Sequence, residues 1–563
     1  MALVLVNISF AQAQDSRKNS LPSIGETLFI HSNATTFVTG ETFYCKLYCL
    51  NPADNSPSQV SKIAYIELIE NTRKSVLRQK VYMENGVGQG DFFIPTTLKT
   101  GNYKLIAYTK WMLNYNNRFE MDVTVINPFQ PLEKGNISTD YSVVSNSNAL
   151  PVLKSDPQNS FFIETDKNSY SQREKVNLKI RKPAEKMAGS YSISVRKANA
   201  FPEQPQLTAK NFLQSVSKSD NPAAMVFLPE LRGELISGSI ISNKGISDLN
   251  HRTVALSIAG KSFALKVVET NKAGKFNFIL DKNPNLSNVI IQVMDENRND
   301  FSIQLDAIPE TNLSSLQFLP EFRLSPELRK SLEERSVANQ IENAYYEKKK
   351  DSIVADNQSE AFFQPLEKVY ILDDYTRFPT MKETITEVVF ELYYVKKHNK
   401  YSIHIRDNSL ANETFGPPLL MVDGLLIQDP NELFDYNTEN IYKISLINQP
   451  YIYGPKTFSG VINITTKNQD YQTKATGDFI RKLEIPRPLN QKKYYRPDYA
   501  GNKNSRIPDY RQQLLWLPEA PLKNAETDIS FYTSDSPGQY EIVLEGFTEA
   551  GVPITLRNNF NVK

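Results

Sequence analysis

Histidine, cysteine and tryptophan are scarce in this chain of 563 residues, which has four, two and two of them. His31, His251, His398 and His404 form no H-E-x-x-H and no Cys/His zinc spacing. His398 and His404 flank a strand-like stretch and read as a surface pair, not a metal site. No P-loop, dinucleotide fingerprint or G-x-S-x-G nucleophile elbow occurs. Cys45 and Cys49 lie in the strand-like FYCKLYCL. Residues four apart on a regular strand are separated by roughly 13 Å, whereas a disulfide needs Cα atoms within roughly 7 Å. Alternation puts Phe43, Cys45, Leu47 and Cys49 on one face, so both cysteines are expected in a core. Charge of one sign is not in excess either: 64 Lys+Arg stand against 63 Asp+Glu, which gives no ground for nucleic-acid binding. Beyond the N-terminus, no stretch reaches the ~18 apolar residues of a membrane span.

Aromatics and proline are plentiful, with 28 Tyr, 30 Phe and 32 Pro against 22 Gly. Few long helical patterns accompany them, so the chain reads as mainly β, with several modules joined by Pro-bearing linkers. A turn glycine followed by an alternating strand recurs four times: Gly101-Asn-Tyr103, Gly189-Ser-Tyr191, Gly274-Lys-Phe276 and Gly538-Gln-Tyr540. This predicts four related β-sandwich modules. A second pattern, a turn between two strands, appears as Thr36-Phe37-x-x-Gly40-Glu41 and Ser169-Tyr170-x-x-Arg173-Glu174. At the N-terminus, the apolar run Ala2 to Phe10 and the site Ala11-Gln12-Ala13 predict a signal peptide over 1–13 and export. No Lys or Arg precedes the run, a departure from the usual pattern, and no lipidation Cys follows the site.

GVGQGDFFIPTTLKTGNYKLIAYTKWM, residues 86 to 112, resembles the MG2 domain of the α2-macroglobulin family, and the likeness extends over 22–126. After a linker at 127–160, DKNSYSQREKVNLKIR resembles the start of a second macroglobulin-like module, expected over 161–228. PELRGELISGSI with NKAGKFNFIL resembles a carboxypeptidase-regulatory-like sandwich over 229–306. LSPELRKSLEERSVANQIENAYYEKKK predicts a helical spacer within 320–350, with Ser325 as N-cap, Pro326 at N1 and Leu328, Leu332 and Val337 as its apolar positions.

Residues 361–468 resemble the plug domain of TonB-dependent outer-membrane receptors. A short helix is expected in FPTMKETITEVV, strands in FELYYVKK and KYSIHIRD, a hairpin at Asp423-Gly424, and a loop from Gly454 to Gly460 before VINITTK. The segment from Asn468 to Lys563 is too short for a barrel of about 22 strands at about 10 residues each. The plug-like unit is therefore expected to meet a barrel in trans or to need none. A Pro-rich linker is expected over 469–512 and a C-terminal sandwich over 513–563. The fold class is thus tandem macroglobulin/Ig-like β-sandwiches plus one α+β plug-like unit.

No catalytic, cofactor-binding or metal-binding residue is assigned. Glu383 and Glu387, four apart on the short helix, read as a solvated face. Asp423 reads as a turn-former beside Gly424, and Asp407, Asp429 and Asp435 do not have calcium-loop spacing. The chain is expected to be a non-enzymatic exported scaffold, periplasmic or outer-membrane-associated in a Gram-negative bacterium. Its expected partners are outer-membrane proteins, including a barrel supplied in trans. The macroglobulin resemblance implies an endopeptidase inhibitor as one alternative, although the Cys-Gly-Glu-Gln thioester is missing. The plug resemblance implies a peptide or glycan capture module of TonB-dependent uptake as another. No TonB-box-like segment stands near the expected mature N-terminus.

Overall fold

The two recurring sequence patterns mark the same corners of two sandwiches that share one topology. The computed structural model describes residues 25–131, 153–156, 161–183, 188–215, 226–281, 288–307, 311–320, 322–354, 361–364, 367–406, 415–501 and 506–563. The expected signal peptide at 1–13 and most of the linker at 127–160 lie outside these residues. The chain is mainly β, built of sandwiches and one mixed sheet.

The first sandwich comprises eight strands: Thr27–Ser32, Thr36–Val38, Thr42–Leu50, Ile63–Ile69, Ser75–Glu84, Val87–Phe93, Gly101–Tyr108 and Phe119–Ile126. The first pairs with the third, the third with the sixth, the fourth with the fifth and seventh, and the seventh with the eighth, all antiparallel. The short second strand instead runs parallel to the last. In the second sandwich the corresponding strands are Phe161–Thr165, Ser169–Tyr170, Lys175–Arg181, Gly189–Lys197, Gln513–Leu517, Glu526–Tyr532, Gly538–Thr548 and Pro553–Val562. Each of those pairings recurs there, including the parallel one between Ser169–Tyr170 and the last strand.

The repeated residues explain the match. Glu41 accepts a hydrogen bond from the Val38 N–H at 3.0 Å, and Glu174 accepts one from the Ser171 N–H at 2.6 Å. Each carboxylate thus closes its own turn, whose sharp bend falls on a left-handed residue, Gly40 at φ 93° or Arg173 at φ 54°. At the opposite corner the Tyr103 hydroxyl donates to the Lys99 carbonyl at 2.8 Å, and the Tyr540 hydroxyl to that of Ser536 at 2.9 Å. A largely buried phenol needs an acceptor, and this backbone return supplies one.

The segments 161–228 and 513–563, read from sequence as two modules, are therefore two parts of one sandwich. Neither has enough strands to cover both faces of a core, and their apolar residues share a single one, with Phe161, Ile163 and Tyr191 beside Leu515, Tyr540 and Phe560. Everything between Lys197 and Gln513 is an insertion between the fourth and fifth strands. A third sandwich lies inside it, with sheets Lys275–Leu280, Glu234–Ser242, Phe301–Leu305 and Ala264–Glu269, Thr253–Ile258, Asn288–Val293, Ile480–Glu484. Its last strand comes from the stretch read as a Pro-rich linker, 469–512: Ile480–Glu484 pairs with Asn288–Val293 and adds Ile480 to the core. The long helix and the mixed sheet are nested between Leu305 and Ile480.

The mixed sheet runs in the order Lys368–Ile371, Ile441–Ile447, Val461–Thr466, Leu419–Val422, Leu425–Leu426. Val461–Thr466 is central, antiparallel to one neighbour and parallel to the other. Ile462 and Ile464 pack with Met381 and Ile385 of the short helix Met381–Glu387. Val461, on the other face, packs with Ala255, Leu265 and Val267 of the third sandwich. Both faces are thus covered within the chain. Asp423 and Gly424, at φ 50° and 81°, form the tight turn of the expected hairpin. Part of the expected loop at 454–460 is instead a small hairpin of Tyr451–Tyr453 and Lys456–Phe458. Among the described residues, no helix is long and apolar enough to cross a membrane.

Candidate functional site

The helix Arg329–Ala344 lies where the first two sandwiches meet, with a cleft on each side. Pro326 opens a short 3-10 turn, Pro326–Leu328, that leads into it. Ser325 makes no capping bond; its hydroxyl is buried without a partner. The helical sequence is rich in good formers, and Arg329–Glu333 and Lys330–Glu334 make four-apart ion pairs on its exposed side. The buried face is mostly polar: Arg335, Ser336 and Asn339, with Ala338 among them. Val337, expected to be an apolar contact, points outward and is 54% exposed.

Arg335 explains this inversion. Its Nε donates to Glu41 Oε1 at 2.6 Å and its Nη2 to Oε2 at 2.7 Å. Nη1 donates to Asn199 Oδ1 at 2.5 Å, and Nη2 also to the Thr36 carbonyl at 3.0 Å. Arg196, from the second sandwich, donates to Glu41 Oε2 at 3.3 Å. Burial alone would push the Glu41 carboxyl up, but the Arg335 and Arg196 guanidiniums and the hydrogen bonds from Arg335 and the Val38 N–H hold it down to about 2. One carboxylate thus ties the helix and two sandwiches together. Near the helix C-terminus, Lys349 Nζ holds Glu342 at 2.7 Å and the Pro508 carbonyl at 2.7 Å, and Glu342 accepts from the Tyr510 N–H at 2.7 Å.

The first cleft, about 580 Å³, is lined by Pro128, Phe129, Leu324, Arg329, Leu332 and Val337. Phe129 at its mouth is 52% exposed. The second, about 730 Å³, is lined by Arg196, Lys197, Phe201, Ala338, Ile341 and Tyr510 among others. Val337 and Glu333 line both and form the ridge between them. Concave, partly apolar surface of this size with a few fixed charges is the usual form of a binding site. The sequence carried one sign of it: Glu41 and Glu174 share a pattern, but only Glu41 has an arginine from outside its sandwich. No local signal in the helix identifies Arg335 as its partner.

The other sequence candidates are scattered. His31 is buried between the first two sandwiches, its Nδ1 2.7 Å from Ser192 Oγ and its ring against Trp516. Burial, and then Arg557, push its imidazole down to about 3. His251 is exposed and meets Glu269 at 2.6 Å. His398 occupies a hairpin turn, while His404 stacks on Tyr393 and contacts Ser402 Oγ at 2.8 Å. Cys45 and Cys49 are free thiols in the first core, raised by burial. Glu383 completes a capping box with Thr380, and Glu387 is exposed. Asp423 is buried and accepts from Thr466 N–H and Oγ1 at 2.7 and 2.6 Å and from the Tyr471 N–H at 3.2 Å. Asp429 accepts from Asn431 N–H and Nδ2, Asp435 ends a short helix, and Asp407 lies outside the described residues. Among the described residues, no three His, Cys, Asp or Glu side chains converge as a metal site.

No protein-family profile matches the chain, and no curated protein matches it. Among solved structures it is similar to Escherichia coli alpha-2-macroglobulin activated by porcine elastase, at 10% identity and a TM-score of 0.24 over 96% of this chain and 44% of that one. Salmonella alpha-2-macroglobulin reacted with methylamine gives 8%, 0.23, 96% and 40%. The Yersinia pseudotuberculosis adhesin InvE gives 11%, 0.13, 50% and 57%. The chain spans about two fifths of the length of those macroglobulins. Likeness at this level leaves function to be argued from the chain's own residues.

Proposed function

We propose that the chain is a non-enzymatic exported scaffold that holds an outer-membrane protein through the clefts flanking the helix Arg329–Ala344. The observation that carries this reading is the exposed Val337 ridge between two clefts, on a helix fixed by a buried ion pair. The occupant is an extended partner segment. It sets an apolar side chain against Phe129, Leu332 and Val337, and an acidic one toward Arg196 and Lys197.

The Ser192–His31 contact resembles a nucleophile and its base, but both residues are buried beneath two sandwiches, away from any substrate. The buried, raised thiols of Cys45 and Cys49 give no support to thioester chemistry. Residues 361–468 resemble a receptor plug in sequence. Chain residues cover both faces of Val461–Thr466, which supports a unit whose sheet needs no barrel for its own packing.

The test places a photo-crosslinking residue at Val337 in the full chain and irradiates intact cells. The expected product is a crosslink to an outer-membrane protein, reduced at least tenfold by F129S/L332S. A yield unaffected by those changes, or no outer-membrane product, overturns the reading.

A further inference from the structure

The chain is nearly neutral overall, yet one hairpin gathers cations without acids. Strands Leu392–Lys397 and Lys400–Ile405 form a two-stranded sheet joined by His398 and Asn399, both left-handed at φ 49° and 60°. Leu392, Ile403 and Ile405 anchor its base in the core of the mixed-sheet unit, while every residue from Lys396 to Lys400 is exposed. Lys397 sits directly opposite Lys400, and Lys396 opposite Tyr401. Lys396 and Lys382 both stand over the Tyr401 ring, at 5.2 and 5.1 Å. Among the described residues, none of Lys382, Lys396, Lys397 and Lys400 forms an ion pair. The nearby Glu391 is engaged at the base by Lys368 and Tyr370.

Like charges opposed across a hairpin are destabilising, and a left-handed His-Asn turn adds strain that Asn-Gly avoids. A local rule broken at an exposed tip points to a use for the charge. The ring faces are already occupied: Tyr401 stacks on Phe434 at 4.0 Å, and Tyr393 stacks on His404 at 5.0 Å with Arg406 5.5 Å from its centroid. Bases of a single strand need free rings to stack on, so this surface does not suit them. Lysines at a tip backed by tyrosines, with Phe390 66% exposed at the base, match the chemistry of a phosphate-bearing bilayer interface.

We propose that the hairpin 392–405 is a membrane-contact element that seats Lys396, Lys397 and Lys400 among anionic lipid headgroups. This surface is separate from the clefts at the long helix, and the inference stands whether or not those bind a partner.

The test is co-sedimentation of the full chain with vesicles of neutral phosphatidylcholine, alone or with about a third phosphatidylglycerol. The expected result is binding to the anionic vesicles only, weakened by high salt. K396Q/K397Q/K400Q lowers the partition coefficient roughly 100-fold, since each lysine near such a surface contributes about fivefold. K397Q/K400Q, which spares the Lys396 contact with Tyr401, melts no lower than the parent, because it removes the directly opposed like charges. Equal binding to neutral vesicles, an unchanged coefficient in the triple variant, or tighter binding to an oligonucleotide or acidic protein than to the vesicles overturns the proposal. So does a melting point that falls in K397Q/K400Q, which would make those lysines structural.

Discussion

Arg335 of the long helix closes two guanidinium nitrogens on Glu41 of the first sandwich, at 2.6 and 2.7 Å, with both side chains buried. Removing Arg335 leaves the buried Glu41 carboxylate with only the longer Arg196 contact, at 3.3 Å, in a place water does not reach. R335M is therefore expected to lower unfolding stability by about 3–5 kcal/mol. E41Q/R335M keeps an acceptor for the Val38 N–H and leaves the buried Arg196 as the one charge there, 3.3 Å from that acceptor, so it recovers part of that loss. Urea unfolding of the full chain measures both. A double variant no better than the single one would show that packing by the arginine stem, not charge pairing, holds the helix.

Gly424 bears on the joint between the mixed sheet and the third sandwich. It sits at φ 81°, and a Cβ there would lie 2.2–2.3 Å from Phe263 carbons. Phe263 in turn stacks against Phe363 at 6.0 Å. G424A combines backbone strain with overpacking and is expected to cost about 2–3 kcal/mol. F263A in that background relieves the clash but not the strain, so it restores part of the melting temperature. If the two changes add without coupling, the contact does not set the joint.

How far the sequence reached can be judged at particular residues. The turn-Glu pattern is local and marks the same corner of both sandwiches, because a left-handed turn demands a specific closing residue; the four Gly-x-aromatic copies do not mark four sandwiches, since Gly189 and Gly538 open paired strands of one. The hairpin at Asp423-Gly424 and the strand Val461–Thr466 were legible from local signals too. Joining 161–228 to 513–563 was not, because strand pairing across an insertion of that length leaves no trace in local periodicity. Thr42–Leu50 shows another gap. Its alternation placed Cys45 and Cys49 in the core, but Lys46 and Tyr48 are buried too, under the second sandwich, where Lys46 meets Glu519 at 2.7 Å. The helix was readable and its buried face was not, since that face is chosen by a carboxylate almost three hundred residues away.

The same strand gives a direct chemical test. Cys45 and Cys49 are unpaired and buried, and burial pushes both thiols up, so neither has useful thiolate character at neutral pH. A colourless thiol reagent that releases a chromophore is expected to find no reactive thiol in the folded chain and two in denaturant without reductant. No thiol in denaturant would mean an oxidised pair and would move the cysteines out of the core role.

The joint between the first two sandwiches holds two groups that titrate in opposite senses. His31 is kept neutral, its folded value pushed down to about 3 by burial and Arg557. The unfolded chain takes up that proton below about 6.5, so this stabilising term is complete above 6.5 and is lost as pH falls toward 3. Glu545 is the reverse. Burial raises it to about 7 against the opposing pull of the Ala209 N–H, the Thr555 hydroxyl and Arg557. Its unfolded value is about 4.3, so its term is complete below 4.3 and is lost as pH rises through 7. Between pH 4.5 and 6.5 the two slopes oppose each other, each up to about 1.4 kcal/mol per pH unit. E545Q keeps an acceptor for Ala209 and Thr555 but removes the second slope; relative to the parent, it should lose stability progressively on acidification from pH 7 to 4.5. H31N, whose side-chain amide can still pair with the Ser192 hydroxyl, should gain stability relative to the parent as pH falls through the same range. Urea midpoints at pH 5, 6 and 7 for the three proteins decide the matter: parallel profiles would show that neither group titrates across this joint, and slopes of opposite sign are the expected outcome.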